Sequence, residues 1–122
     1  MLEVTDEEFQ ALIDEALGNL KGEHARNIKN VAILYEEDPT PEQRAESKLH
    51  PFETLLGLYQ GIPLSERQGR TTTYPDRITL FKGPLVRKSE NLTELKENIK
   101  HTLWHEIAHY YGLNHDDIRA KE

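Results

Sequence analysis

Cysteine is absent from the 122 residues, which excludes a disulfide framework, thiol catalysis and every metal site built on thiolates. No apolar run approaches the ~18 residues that a membrane-spanning helix needs. The opening MLEVTDEEF is acidic where a secretory signal would be basic and then apolar, so a soluble, cytoplasmic protein is expected. Basic residues are in deficit, 15 Lys+Arg against 22 Asp+Glu, for a net charge of −7. That balance argues against a general nucleic-acid binder, because phosphate contacts need cation density. The deficit is uneven: residues 64–88 carry Arg67, Arg70, Arg77, Lys82, Arg87 and Lys88 against Glu66 and Asp76, a local charge of +4. We read this as a solvated loop with scattered arginines. The length suits one domain, which at this size buries roughly two-thirds of its unfolded surface and needs no staples.

No repeat, low-complexity tract or linker divides the chain. Thr5-Asp6-Glu7-Glu8 has the form of a capping box, and Phe9, Leu12, Ile13, Ala16, Leu17 and Leu20 follow at helical spacing, predicting an amphipathic helix over residues 6–20. Asn30–Glu36, β-branched and apolar, predicts a strand buried on both faces. Asp38–Pro51, with three prolines among charged residues, reads as a loop. Thr54–Gln60 and Arg77–Lys82 are two further strands, and the long segment between them reads as a functional rim. Pro84 suits the first turn of a short helix over 84–88. Asn91 and Glu94 then open a helix over 92–111, about 30 Å long, with Leu92, Leu95, Ile99, Leu103, Ile107 and Tyr110 as its apolar stripe and Gly112 as its stop. The order predicts an α+β domain, a small sheet packed against helices.

The last helix contains His105-Glu106-Ile107-Ala108-His109 and continues Tyr110-Tyr111-Gly112-Leu113-Asn114-His115. Residues four apart on a helix differ by ~40° in azimuth and ~6 Å in height, so the His105 and His109 imidazoles can converge on one metal ion. Glu106 falls slightly aside of them. A left-handed residue at Gly112 would turn the chain back, and three residues span ~10 Å, enough to bring His115 to a third ligand position. Three imidazoles hold Zn²⁺ at ~2.0–2.1 Å and leave a fourth position for water, which the cation acidifies toward pKa ~7. A carboxylate in reach takes its proton during attack and passes it to a leaving amine. His24, His50 and His101 lie outside this pattern, and solvation is the expected state of His101.

HEIAHYYGLNH resembles the elongated zincin motif H-E-x-x-H-x-x-G-x-x-H of metzincin peptidases. The likeness to metzincins stops there, because they carry a methionine turn downstream whereas the only methionine here is Met1. LLGLYQGIPL (55–64), PDRITLFKGPL (75–85) and HEIAHYYGL (105–113), in that order, resemble a family of small bacterial zincin-like metallopeptidases. The resemblance implies a minimal zincin-like fold over residues 1–122 as one domain, a small twisted β-sheet against an N-terminal helix and the motif helix. It implies Zn²⁺ on His105 and His109, Glu106 as general base, and a peptide or protein substrate. Relatives often carry aspartate where His115 stands, so Asp116 is the alternative third ligand, and Asp116 or Asp117 could instead orient His115.

Two other functions compete with peptide hydrolysis. A bacterial endoribonuclease family that matures ribosomal RNA carries H-G-x-L-H-L-x-G-Y-D-H, with histidines at the same offsets but glycine where Glu106 stands here. A non-catalytic module would keep the metal as a structural clip. Tyr74, Arg77, Tyr110 and Tyr111 are candidate oxyanion donors, with no choice among them. The resemblance suggests that strand Arg77–Lys82 borders the cleft: as a central strand, paired on both sides, it would be unavailable, and as an unpaired edge it would bind an extended peptide by strand addition. Arg67, Arg70 and Arg77 would then favour acidic or C-terminal carboxylate groups.

Overall fold

Helix α1 (Asp6–Asn19) starts where Thr5 can take both roles of a capping box. Its hydroxyl accepts from the Glu8 N–H at 3.1 Å, and the Glu8 carboxylate accepts from the Thr5 N–H at 3.3 Å. These bonds satisfy two of the amide groups that a helix start leaves unpaired. Three acidic residues, Asp6, Glu7 and Glu8, sit in the first turn, where the helix dipole favours negative charge. Phe9, Leu12, Ile13 and Ala16 are buried as their spacing predicts. In this computed structural model the described residues are 2–20, 31–47, 54–61 and 76–110.

Strand β1 (Val31–Glu36) corrects the expectation of a doubly buried strand. Among the described residues it lies at one edge of the sheet, and Val31, Ile33 and Tyr35 pack on the core while Leu34 is 44% exposed. An apolar run whose one face is open follows the two-residue period of a strand, whatever its composition. Helix α2 (Pro41–Ser47) corrects the loop expected at 38–51. Thr40 caps it reciprocally with Gln43, at 3.1 Å through its hydroxyl and 2.8 Å through its own N–H. Pro41 stands at the first helical position, where its missing N–H costs nothing. The prolines that read as breakers include the one that starts this helix.

Strands β2 (Gly57–Gln60) and β3 (Asp76–Phe81) complete a three-stranded sheet among the described residues, in the order β1-β3-β2. β3 pairs parallel with β1, Val31 opposite Asp76, and antiparallel with β2, Gly57 opposite Leu80. β3 is therefore central and hydrogen-bonded on both sides, so of the two placements weighed from the sequence it takes the one that leaves no edge for a peptide. Buried Ile78 and Leu80 face the helices, and Phe81 packs with Leu55 and Leu58 on the opposite face.

Helix α3 (Lys82–Lys88) starts two residues earlier than predicted and is tied back to the end of β1. The Gly83 N–H donates to the Glu37 carbonyl at 2.7 Å, and Arg87 pairs with Asp38 at 2.9 Å. Helix α4 (Leu92–Tyr110) is capped by Asn91, whose side chain accepts from the Glu94 N–H at 2.9 Å. The Glu94 carboxylate turns to the Glu90 N–H instead of closing a box on Asn91. Leu95, Ile99, Leu103 and Ile107 are fully buried against α1 and the sheet, whereas Leu92 is 46% exposed. The stripe thus begins one turn later than its periodicity indicates, because the first turn projects past the core. No helix among the described residues is long and apolar enough to cross a membrane. The architecture is α+β, helices packed on a small mixed sheet, as the sequence predicts.

Candidate metal centre

The last two turns of α4 bring His105, Glu106 and His109 into one group. One potential ligand atom from each lies within 4.8 Å of the others. The imidazoles stand edge to face, with ring centroids 4.8 Å apart and planes at 69°. This is the adjacency expected of residues four apart on an unbroken helix. Both histidines are half-buried and Glu106 is buried, at 7% exposure.

Strand β2 supplies the wall beside this group. The Leu56 carbonyl accepts from the Phe81 N–H at 2.9 Å. In an antiparallel ladder bonded pairs alternate, so the next bonded pair is Leu58 with Thr79, and the Tyr59 amide points outward from β3. There its N–H donates to Glu106 Oε1 at 2.9 Å. The approach is close because residue 57 is glycine: a Cβ there would stand 2.7 Å from Thr102 Cγ2 and 3.3 Å from Glu106 Cγ. Tyr59 is pinned in turn. Its hydroxyl donates to Asp76 Oδ2 at 2.5 Å, and its ring meets Tyr110 edge-on at 6.2 Å.

Burial dominates the electrostatics of Glu106. Removal from water penalises the charged carboxylate and lifts its pKa to about 7, while the hydrogen bond from the Tyr59 amide pulls the other way. A carboxyl group with that pKa exchanges protons near neutrality, the range in which a general base works best.

The donor set suits zinc. The imidazole nitrogens of His105 and His109 are ligands that Zn²⁺ accepts, and the Glu106 carboxylate stands beside them, with one potential ligand atom of each within 4.8 Å of the others.

The structure thus gathers His105, Glu106 and His109, while His115, Asp116, Asp117 and the turn at Gly112 lie outside the described residues. So do Tyr74, Tyr111, Arg67 and Arg70. Two of the candidate oxyanion donors are among the described residues. Arg77 is exposed and donates to Gln60 Oε1 at 3.0 Å, on the sheet face opposite Ile78. Tyr110 is 2% exposed and packs on Tyr59. His101 is exposed. Sequence reasoning missed Tyr59, Asp76 and Gly57. A tyrosine between two glycines in LLGLYQG was the available signal, since glycines inside a strand mark close backbone approach.

Residues 28–122 match the profile of the zincin-like metallopeptidase family. No curated protein matches the chain significantly. Among solved structures, a conserved hypothetical protein from Thermus thermophilus superposes with a TM-score of 0.55. The superposition covers 97% of this chain and 100% of that one at 17% sequence identity, a likeness of fold. With the profile spanning most of the sequence, and a His–Glu–His group able to hold a metal on its last helix, the chain belongs to the zincin-like metallopeptidase family.

Proposed function

We propose that this protein is a zinc-dependent peptidase that hydrolyses peptide bonds with Glu106 as general base. The observation that carries the reading is the placement of Glu106. It is a buried carboxylate beside two imidazoles, held through one oxygen by the Tyr59 N–H. His105 and His109 are two ligands, His115 is the third, and Asp116 is the alternative. Zinc, when bound, acidifies a water molecule and polarises the scissile carbonyl. Glu106 removes a proton from the attacking water at its carboxylate and delivers it to the leaving amine. The low-dielectric surroundings of Glu106 keep its proton affinity high enough for that transfer. Strand β2, whose outer side borders the group, forms one wall of the cleft.

The test is Glu106→Gln, which keeps the shape and the acceptor for the Tyr59 N–H but removes the base. Zinc content by atomic spectroscopy should stay at the wild-type level, and hydrolysis of fluorescent casein should fall by ~10²–10⁴-fold. Wild-type turnover by the variant would exclude the mechanism. Zinc binding with no hydrolysis by either protein would favour a metal-binding module.

A further inference from the structure

We propose that Asp76 and Tyr59 act together as a positioning pair for the Glu106 carboxylate, an inference that rests on the general-base reading of Glu106. The partner that orients Glu106 from the sheet is a backbone amide. No substitution other than proline deletes that N–H, so its position depends on what fixes residue 59. β2 is only four residues long and is paired with β3 on one side. Beyond the ladder, Tyr59 is anchored by its own side chain. Its hydroxyl donates to Asp76 Oδ2 at 2.5 Å, and its ring lies against Tyr110, the residue after His109.

Asp76 is an expensive choice for this anchor. It is 2% exposed, and a buried carboxylate is tolerated where it is hydrogen-bonded and has a use, because apolar packing would serve stability as well or better. The chain also makes room for it. Gly61, with φ +154°, has no Cβ where the Asp76 carboxyl lies, and any side chain there would collide with that group. Asp76, Tyr59 and Gly61 thus fix the end of β2 from one side, and Gly57 lets α4 close from the other. The result is a chain of contacts from Asp76 Oδ2 through the phenol to the residue whose N–H holds Glu106 Oε1. Such a shell around a reacting carboxylate sets its orientation, and orientation is what a proton transfer needs.

The test follows the Tyr59 backbone amide by nuclear magnetic resonance in metal-free protein, with Tyr59→Phe and Asp76→Asn as the variants. Glu106→Gln gives the resonance position of an amide bonded to a neutral acceptor. Both variants should keep wild-type circular dichroism. In both, the amide of residue 59 should exchange with solvent at least about tenfold faster than in wild type, and in Asp76→Asn, where residue 59 is unchanged, the Tyr59 N–H resonance should also move away from its wild-type position. The core amide of Leu80 should be unchanged. Unchanged exchange of the residue-59 amide in both variants, or acceleration shared equally by Leu80, overturns the proposal. Tyr59→Phe removes one oxygen only, so it decides the matter if Asp76→Asn unfolds. Wild-type casein hydrolysis by Glu106→Gln would remove the catalytic meaning of the carboxylate, while the amide data would still report what holds it.

Discussion

The amide of Tyr59 and the carboxylate of Glu106 meet at 2.9 Å although 47 positions separate them in the chain. The contact joins the outer side of strand β2 to the helix that carries both histidines. Because it is a backbone donor to a buried acceptor, its strength responds to the placement of the strand and to the charge on the carboxyl group.

Metal loading comes first among the expected outcomes. His105→Ala and His109→Ala should each lose zinc almost completely, as measured by metal analysis of protein purified without chelator. His115→Ala should lose it too. Full occupancy in His115→Ala with loss in Asp116→Ala would transfer the third position to Asp116. Zinc at 100 times its Kd should stabilise the wild type by about 2.7 kcal/mol. A melting temperature indifferent to zinc and chelator would contradict the site.

The metal-free protein should become less stable as pH rises. Glu106 has a pKa near 4.5 when exposed in the unfolded chain and about 7 when folded. Between those values the folded state holds a proton that the unfolded state has released. The contribution is therefore fully present below pH 4.5 and is lost as pH climbs through 7. Glu106→Gln removes this dependence and should be more stable than wild type at pH 8, by on the order of 3 kcal/mol. Denaturant titrations at pH 5 and pH 8 in chelator measure it; equal losses in both proteins would show that the burial of Glu106 has no such cost.

Gly57→Ala should destabilise the fold by ~1–3 kcal/mol through overpacking, because its Cβ would stand 2.7 Å from Thr102 Cγ2. Thr102→Ser removes that methyl group. The double variant should recover part of the loss, a favourable coupling visible in a double-mutant cycle of urea unfolding. Strict additivity would locate the strain elsewhere.

A peptide-like inhibitor should protect amides of β2, residues 57–60, from hydrogen exchange, and leave 78–81 as they were. The β3 amides already lie between two strands. New protection confined to 78–81 would contradict the assignment of β2 as the cleft wall.

Much of this arrangement is local and was legible in the sequence. Thr5 and Glu8 announce α1, and the four-residue spacing of His105 and His109 on one helix brings two potential ligands together without tertiary information. What was not legible is non-local. Whether Arg77–Lys82 lies at an edge or in the centre depends on which strands pair with it, and residue order within one strand carries no record of its neighbours. β1 has the composition of an interior strand and takes an edge. Tyr59 looks like ordinary strand packing until Asp76 and Glu106 are seen around it. Thr40 and Gln43 stand at capping-box spacing, a local signal for α2 that a reading based on the prolines of 38–51 passes over.

The two halves of the site also differ in when they can form. The His105–His109 face needs only a helix, an event of microsecond scale. The hold on Glu106 needs β2 laid against β3 and α4, a contact of long sequence separation whose loop must close first. A chain that has made its helices but not its sheet would bring the two imidazoles side by side without being able to aim the carboxylate beside them. Formation of the histidine pair and seating of Glu106 then become separate milestones of folding. Stopped-flow refolding in chelator would resolve them as fast helix formation followed by slower protection of the Tyr59 amide; a single shared rate would merge the two.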